Sequence, residues 1–374
     1  MYTVLESIAT GNPPLRFSQP FAASLVQRVE SLAPPLRRRI PLIYERSGID
    51  FRYSCVEDHG HDQVDDFEFY PRNWALQPPP TTAQRNRKYR QAVIPLAEGV
   101  AHEALEQAGR TPDEVTHVIA VSCTGFFAPG LDIELVKRLG LPSNTQRTLI
   151  GFMGCYAAFN ALRVAHGFCQ ADPNACVLIV CAELCTLHFQ VNNDFEHAVV
   201  SALFSDGAAA AVLAPRAEDE ARGHLAYVDH HCQLDDDSME AMTWEIGDTG
   251  FLMGLSSRVP KILARNLPAY LDALLCRHDL TPEAIGFWAI HPGGRAIVEK
   301  ARDVIGLAED DVRDSLEVLR LHGNMSSPTI LFVLKRFFDR HHAERANGSD
   351  GFGHGVALAF GPGLTLEGCL WQRV

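Results

Sequence analysis

The sequence places a cysteine where a short apolar segment gives way to a helical pattern. Cys155 comes after the segment 148–153 (TLIGFM) and Gly154, and apolar side chains then recur at helical spacing over 158–168. In the first turn of a helix, unpaired N–H groups and the positive end of the helix dipole favour a thiolate. We therefore predict a buried strand over 148–153, a helix beyond it, and a nucleophilic Cys155 with a lowered pKa. The alternative is a buried cysteine that serves as a small hydrophobic side chain.

Two further residues lie at junctions between a buried segment and a loop. His291 ends the apolar run IGFWAI before a Pro-Gly-Gly turn, where its ring could serve as a base for the cysteine. Asn324, in the segment LRLHGNMSSPT, comes just before an apolar helical pattern. Its amide could cap that helix or donate a hydrogen bond to a substrate oxygen. Cys155, His291 and Asn324 are thus a candidate catalytic set, and the alternative for the last two is a structural role.

Apolar runs bounded by turn residues supply the elements that would position this set. Such runs are typical of strands buried on both faces, and helical patterns lie between them, so we predict an α/β layered fold with a mostly parallel or mixed sheet. The predicted strands are 115–125, 175–184, 207–215, 285–294 and 355–363, and two of the predicted helices are 87–109 and 328–344.

Polar segments mark the boundaries of this organisation. The segment 215–223 (PRAEDEARG) is the predicted joint between two halves, 1–215 and 223–374, although no repeat is visible at the residue level. The segment 345–355 (RANGSDGFGHG) is a predicted surface loop because it is rich in glycine and polar residues.

Composition narrows the classes of function. The chain has 374 residues, 47% of them hydrophobic, which is enough for a large core and exceeds the usual size of one compact domain. A net charge of −13 argues against general binding of nucleic acid or anionic membrane. The sequence has no signal-peptide pattern and no uninterrupted apolar run of about 18 residues. Its ten cysteines lack metal-type spacing, so we predict free thiols, no metal site and a cytoplasmic location.

Several segments resemble, in order and spacing, those of type III polyketide synthases, the chalcone synthase superfamily. They are IATGNPP, SCTGFFAPGLD, GFMGCYAAFNALR, ALFSDGAAAA, AIHPGG, GNMSSPT and AFGPGLTLE. The resemblance covers nearly the whole chain. It implies a thiolase-like layered αβαβα fold with two similar halves, a homodimer, and coenzyme A (CoA) thioester substrates, with no metal, flavin or nicotinamide cofactor.

The resemblance also implies a role for each member of the candidate set. Cys155 would accept a starter acyl group, and His291 would help to keep it ionised. His291 and Asn324 would bind the thioester carbonyl of malonyl-CoA and stabilise the enolate that forms as carbon dioxide leaves. Decarboxylation itself then supplies the carbanion that extends the chain.

Further matched positions imply a substrate cavity. Phe204 and Met253 match two gate positions between the CoA tunnel and the cavity, and Trp244 falls where many members have a cavity-lining glycine. An indole at that position would reduce the cavity volume. Plain core packing is the alternative for Met253 and Trp244. The other matched cavity positions are Cys185, His188 and Ser326.

The resemblance assigns CoA binding to residues on both sides of the predicted joint. Arg39 and Arg46 match basic positions that would form charge-assisted bonds to phosphate. Leu42 replaces a third basic position, and a solvated surface role is the alternative for each arginine. The implied CoA-binding residues of the second half are Gly293 and Ala296.

The segment ELCTLHFQ (183–190) resembles the bacterial branch that makes alkylpyrones and alkylresorcinols from fatty acyl starters. The predicted function is therefore a homodimeric type III polyketide synthase that condenses a fatty acyl-CoA with malonyl-CoA and releases an alkylpyrone. Three alternatives remain: a synthase that releases an alkylresorcinol, a ketoacyl synthase of fatty acid initiation, and a non-catalytic acyl-CoA-binding protein.

Overall fold

The computed structural model describes residues 1–346 and 353–374 as alternating strands and helices. Within these residues the strands are β1 (Tyr2–Gly11), β2 (Leu15–Ser18), β3 (Phe51–Ser54), β4 (His117–Ser122), β5 (Gln146–Gly151), β6 (Val177–Leu184), β7 (Asp206–Arg216), β8 (Leu225–Leu234), β9 (Met242–Gly247), β10 (Gly250–Leu255), β11 (Ile285–Ile290), β12 (His354–Gly361) and β13 (Thr365–Arg373). The α-helices are α1 (Gln19–Arg28), α2 (Pro34–Arg37), α3 (Ile40–Arg46), α4 (Thr82–Ala108), α5 (Leu131–Arg138), α6 (Ala157–Ala171), α7 (Phe195–Leu203), α8 (Glu218–Ala221), α9 (Val259–Leu275), α10 (Arg295–Ile305), α11 (Arg313–His322) and α12 (Thr329–Ala346).

Nine of the described strands form one mixed sheet in the order β11-β12-β13-β8-β1-β7-β6-β4-β5. The five predicted strands correspond to β4, β6, β7, β11 and β12, which are almost entirely buried, so this prediction is confirmed. The predicted helices correspond to α4 and α12. Residues 347–352 of the predicted loop 345–355 lie outside the described residues, and the ends of that segment belong to α12 and β12.

The prediction of a buried strand over 148–153 is wrong in its burial. The strand β5 is present, but it lies at the edge of the sheet and pairs only with β4 among the described strands. Leu149 on this strand is 48% exposed. An edge strand has a neighbour on one side only, so an apolar sequence does not ensure that it is buried within one chain.

The two halves of the large sheet repeat one arrangement. In the first half β1 is antiparallel to β7, β7 is antiparallel to β6, and β6 is parallel to β4. In the second half β8, β13, β12 and β11 repeat these three pairings in the same chain order. The strands β1 and β8 pair with each other where the halves meet. The similarity of the halves, invisible in the residues, is therefore present in the strand topology.

The alternation of side chains along each strand divides the core into layers. On β6, Ile179 packs in the cluster formed with α6 and α12, whereas Val180 packs in the cluster formed with α4 and α5. On β12, Ala357 faces α6 and α12, whereas Leu358 faces α9 and α10. Two helices therefore lie between the halves of the sheet and a helix pair covers each outer face, which is the expected αβαβα arrangement.

Candidate active site

Cys155 lies in a short 3-10 turn, Gly154–Tyr156, between β5 and α6. Gly154 has a φ of +79°, and a Cβ at this position would collide with the ring of Pro362. Only glycine permits this close approach, which places the next residue at the start of α6. The side chain of Cys155 is 7% exposed and lines a cavity that His291 and Asn324 also line. The fold thus brings the three predicted residues to one cavity.

His291 comes directly after β11 and is 1% exposed. Its backbone N–H donates to the carbonyl oxygen of Leu358 at 2.8 Å, so β12 fixes its position. Neither ring nitrogen has a hydrogen-bond partner among the described residues. Buried polar groups in folded proteins are nearly always hydrogen-bonded. The ring is therefore available to a molecule bound in the cavity.

Two hydrogen bonds of the Asn324 side chain fix its position, and neither of them caps a helix. Its Oδ1 accepts from the backbone N–H of Ser326 at 2.8 Å, and its Nδ2 donates to the carbonyl oxygen of Gly293 at 3.2 Å. The helix α12 begins only at Thr329, so the helix-cap alternative is wrong. An amide carries two N–H donors, so the one on Nδ2 that does not bond to Gly293 lies within reach of the Cys155 sulfur and can donate to a substrate oxygen bound beside it.

Burial dominates the electrostatics of the set. It raises the pKa of Cys155 to about 11, although hydrogen bonds from Ser326 and Asn324 oppose the rise. It lowers the pKa of His291 to about 3. The predicted lowering of the Cys155 pKa is therefore wrong, because the loss of hydration outweighs the hydrogen bonds that favour the thiolate. Near pH 7 the thiol and the imidazole are both neutral, and a neutral imidazole can accept the thiol proton as the sulfur attacks a substrate.

This charge state predicts how Cys155 reacts with iodoacetamide in the absence of substrate. Since its pKa is well above 7, the thiolate fraction and the alkylation rate should rise about tenfold per pH unit between pH 7 and 9. Peptide mapping after timed treatment measures the rate, and the exposed Cys232 and Cys276 serve as internal references that react first at pH 7. An alkylation rate that is already maximal at pH 7 would contradict the neutral state of Cys155 and His291 and indicate a thiolate-imidazolium pair.

A buried carboxylate that sequence reasoning missed supports this site. Oε2 of Glu183 accepts from the backbone N–H of Cys123 and from the hydroxyl of Thr124, both at 2.8 Å, and Oε1 accepts from the hydroxyl of Ser327 at 2.8 Å. Glu183 thereby joins β6 to segments on both sides of Cys155. Burial raises its own pKa, and its charge contributes to the raised pKa of Cys155. The available signal was a glutamate inside the apolar run 175–184.

A cavity of about 560 Å³ leads to Cys155 from the protein surface, and we call it the entrance cavity. Arg39 and Arg46 line its outer part, and Cys155, His291 and Asn324 line its inner part. The other two residues of the predicted CoA site, Gly293 and Ala296, also line this cavity. So does Leu42, which replaces a basic residue of the family pattern.

A second, narrower cavity of about 90 Å³ extends towards α1, and we call it the inner cavity. Most of its walls are apolar, including Val26 of α1 and Val29 directly after this helix. Phe204 and Met253 line both cavities and a small space of about 20 Å³ between them, which is the arrangement expected of gate residues. Other predicted cavity residues that line this small space are Cys185, Trp244 and Ser326.

The predicted cavity residues Trp244 and His188 form one rigid wall of the inner cavity. Nε1 of Trp244 donates to the carbonyl oxygen of Cys123 at 2.9 Å, and the indole meets the His188 ring edge to face at 5.5 Å. Nδ1 of His188 accepts from the backbone N–H of Phe251, which leaves Nε2 to donate to the carbonyl oxygen of Thr124 at 2.8 Å. Both nitrogens of His188 are therefore engaged, and it serves as wall rather than as a proton donor to substrate.

Two classes of feature are absent from the described part of the chain. No group of three or more His, Cys, Asp or Glu side chains there could hold a metal ion. None of the helices described is both long enough and apolar enough to cross a membrane.

Comparison with known proteins identifies a matching protein family and related sequences. Residues 67–216 match the chalcone and stilbene synthase N-terminal domain, and residues 231–374 match the C-terminal domain. The alpha-pyrone synthesis polyketide synthase-like Pks18 of Mycobacterium tuberculosis is 32% identical over 374 residues, which cover 99% of this chain and 91% of Pks18. The acylalkylpyrone synthase csyB of Aspergillus oryzae is 30% identical, with 99% and 94% covered.

Solved structures agree with the sequence relatives. The crystal structure of PKS-I from the brown alga Ectocarpus siliculosus superposes with a TM-score of 0.95 at 37% identity, covering 100% of this chain and 98% of that one. The crystal structure of CsyB complexed with CoA-SH superposes with a TM-score of 0.85 at 28% identity, and both chains are covered completely.

Proposed function

Because the chain belongs to the chalcone and stilbene synthase family of type III polyketide synthases, we propose that it loads a fatty acyl group from CoA onto Cys155. It then extends this group with malonyl-CoA and releases an alkylpyrone. One observation carries the proposal: an entrance cavity with arginines at its outer part and an apolar inner cavity meet beside the buried cysteine.

The entrance cavity suits the CoA part of a substrate. Arg39 and Arg46 are exposed and form no ion pair with any residue in the described part of the chain, so their charges are available to phosphate. A pantetheine arm extending inward from these arginines would bring the thioester to Cys155. The CsyB structure with CoA-SH supports a CoA thioester as the substrate class.

The neutral thiol of Cys155 and the neutral imidazole of His291 determine how the starter is loaded. The sulfur of Cys155 attacks the thioester carbonyl as Nε2 or Nδ1 of His291 takes the thiol proton, the carbon to CoA sulfur bond breaks, and the imidazolium returns the proton to the leaving CoA thiolate. The products are an acyl-cysteine and free CoA. Because His291 is neutral again after the cycle, it is ready for the next substrate.

Extension uses hydrogen-bond donors of His291 and Asn324 on a second substrate. When malonyl-CoA binds, a ring N–H of His291 and the Asn324 Nδ2 N–H that is not bonded to Gly293 can donate to its thioester oxygen. Loss of carbon dioxide leaves an enolate whose negative charge lies on that oxygen, where both donors stabilise it. The enolate carbon then attacks the acyl-cysteine, and the Cys155 thiolate leaves as the new carbon bond forms. No metal, flavin or nicotinamide takes part in these steps.

The inner cavity suits an aliphatic chain. Its apolar walls begin at Phe204 and Met253 and continue to α1, so a chain that passes between these two residues would be removed from water. Met253 is unbranched and flexible, which favours passage of chains of different shape. Two relatives described as pyrone synthases, Pks18 and csyB, support release by closure to a pyrone.

The position of Trp244 predicts which ring forms. Closure to a pyrone needs only the near end of the chain to fold, whereas closure to a resorcinol must bend a longer tetraketide back on itself. The Trp244 indole lines both the inner cavity and the small space beside Cys155, so it should block the bent tetraketide. Trp244→Gly should shift products from triketide pyrone towards tetraketide pyrone or resorcinol, as measured by mass spectrometry with one long-chain acyl-CoA. An unchanged profile in a folded, active variant would contradict this role.

The experiment that tests the function is a product profile of the unaltered protein. Incubation with malonyl-CoA and a series of acyl-CoA starters should release carbon dioxide and CoA and give alkylpyrones, with aliphatic starters preferred. Resorcinol as the main product would make the alternative synthase correct. Condensation that stops after one extension would indicate a ketoacyl synthase, and no turnover would indicate a binding protein.

We also propose that the enzyme is a homodimer in the cytoplasm. The exposed edge of β5, with Leu149 on it, offers unpaired backbone groups and apolar surface that a second copy could cover. All ten cysteines are free, which suits a reducing compartment. Light scattering should give twice the mass of one chain, and a monomer would refute the dimer.

A further inference from the structure

Among the polar side chains that line the inner cavity, His59 has a role that the proposed reaction leaves unexplained. His59 lies in a 3-10 turn, Glu57–Gly60, and lines the cavity. Aromatic rings surround it, and the centroids of Phe17, Tyr70 and Phe189 each lie 5.8 Å from the centroid of the imidazole. Burial lowers its pKa to about 3, so the ring is neutral at pH 7 and carries a single N–H.

A chain of hydrogen bonds determines which nitrogen carries that N–H. The hydroxyl of Thr186 donates to Oδ2 of Asp206 at 2.7 Å. The hydroxyl of Ser54 lies 2.7 Å from the same Thr186 oxygen and must therefore donate its proton there. With its only proton used, the Ser54 oxygen can only accept from Nδ1 of His59, 2.9 Å away. Nδ1 thus carries the proton, and Nε2 is left as an acceptor.

Neighbouring polar groups do not satisfy this acceptor. Among the described residues, the His59 ring forms a hydrogen bond through Nδ1 only. His197, which also lines the cavity, bonds through Nε2 to the carbonyl oxygen of Gln190 at 2.8 Å. Arg52 directs its Nε and Nη1 to Gln19 and to two backbone carbonyl oxygens. Nε2 of His59 is consequently a hydrogen-bond acceptor without a protein donor among the described residues, and the hydroxyl of Tyr70 on the same cavity wall is unpaired as well.

From this arrangement we infer that the enzyme selects a fatty acyl starter that carries a hydroxyl group, whose O–H donates to Nε2 of His59. The inference rests on the proposed function, since it requires the acyl chain to occupy the inner cavity. A hydroxylated chain satisfies the buried acceptor, whereas a plain alkyl chain covers it and leaves it unpaired. Leaving a buried polar group unpaired is the kind of penalty by which binding sites reject analogues that lack a hydroxyl.

The test compares one saturated long-chain acyl-CoA with a set of hydroxyacyl-CoA isomers. These isomers have the same chain length and differ from one another in the position of the hydroxyl group. With the unaltered enzyme, kcat/KM for at least one isomer should exceed that for the saturated chain by about tenfold or more. His59→Phe, which keeps the aromatic surroundings but lacks an acceptor, should abolish this preference and use the saturated chain at least as well. His59→Gln, which retains an acceptor, should keep part of the preference. The thermal midpoint and malonyl-CoA decarboxylation of each variant report whether the fold and the catalytic set are intact.

The outcomes separate this inference from the function on which it rests. Equal use of all isomers by the unaltered enzyme, or a preference that persists in His59→Phe, would overturn the inference while alkylpyrone formation continued. Preference for a chain with a terminal carboxylate would overturn it as well and assign selection to Arg52. If no acyl-CoA of the panel were converted, the proposed function would be refuted and the inference with it.

Discussion

Replacement of Cys155 by alanine should abolish alkylpyrone formation, with a loss of roughly 10³-fold or more, while malonyl-CoA decarboxylation continues. Alanine removes the atom that carries the acyl chain, so no covalent intermediate can form. It leaves His291 and Asn324 in place, because Leu358, Gly293 and Ser326 hold them through hydrogen bonds independent of the thiol. Carbon dioxide release and product formation are measured in the same reaction mixture.

Cys169→Ala is the matched control for this variant. Cys169 lies on α6, the helix that follows the nucleophile, and it is buried in the core between the two halves of the sheet. Its removal should lower thermal stability slightly and leave both activities within a few-fold of normal. Product formation by Cys155→Ala at a comparable rate would show that another group carries the chain.

Replacement of Asn324 by alanine should reduce decarboxylation and condensation together, each by about 10²- to 10³-fold. The variant removes one of the two donors to the enolate oxygen, whereas Cys155 can still accept the starter. Acylation of Cys155, measured by mass spectrometry of the protein after acyl-CoA treatment, should therefore persist. Unimpaired decarboxylation would limit Asn324 to its structural bonds with Gly293 and Ser326.

Asn160→Ala controls for the loss of a buried amide. The Asn160 side chain is 5% exposed and donates to Glu367 at 2.9 Å, and it does not line the entrance cavity. This variant should lose stability while decarboxylation and condensation both stay within a few-fold of normal. A fall in Asn160→Ala equal to that in Asn324→Ala would attribute both effects to folding.

The strands that the sequence predicts correctly share a physical cause. The runs that form β6 and β12 are buried on both faces by helices, so nearly every position is apolar and the pattern is local. The edge strand β5 has a shorter apolar stretch, beginning at Leu149, and lacks a neighbour on one side, which only the sheet order reveals. Local pattern thus predicts an element more readily than its place in the sheet.

Some features of the candidate site likewise follow from the local sequence, whereas others depend on distant parts of the chain. The position of Cys155 before α6 follows from a local pattern of glycine and helical spacing. Its raised pKa depends on how completely the other half of the chain covers it, and a local pattern contains no information about that. Glu183 and His59 were missed for the same reason, because Ser327, which donates to Glu183, and Phe189, whose ring packs against His59, lie 144 and 130 residues away in the sequence.

The inner cavity is the least predictable feature from sequence. Its walls come from α1, from the 3-10 turn that contains His59, and from the β9-β10 hairpin that contains Trp244 and Met253. These segments become neighbours only when the chain has folded. The matched positions Phe204, Met253 and Trp244 indicated one end of this cavity, whereas the end formed by α1 gave no signal in the sequence.

The central claim, that a fatty acyl chain is transferred to Cys155 and then extended, is tested most directly by mass spectrometry of the intact protein. Brief treatment with one long-chain acyl-CoA should add the mass of a single acyl group, and peptide mapping should locate it on Cys155. Subsequent addition of malonyl-CoA should remove that mass from the protein as alkylpyrone appears in solution. An adduct on another residue, or an adduct on Cys155 that malonyl-CoA does not discharge, would contradict the claim.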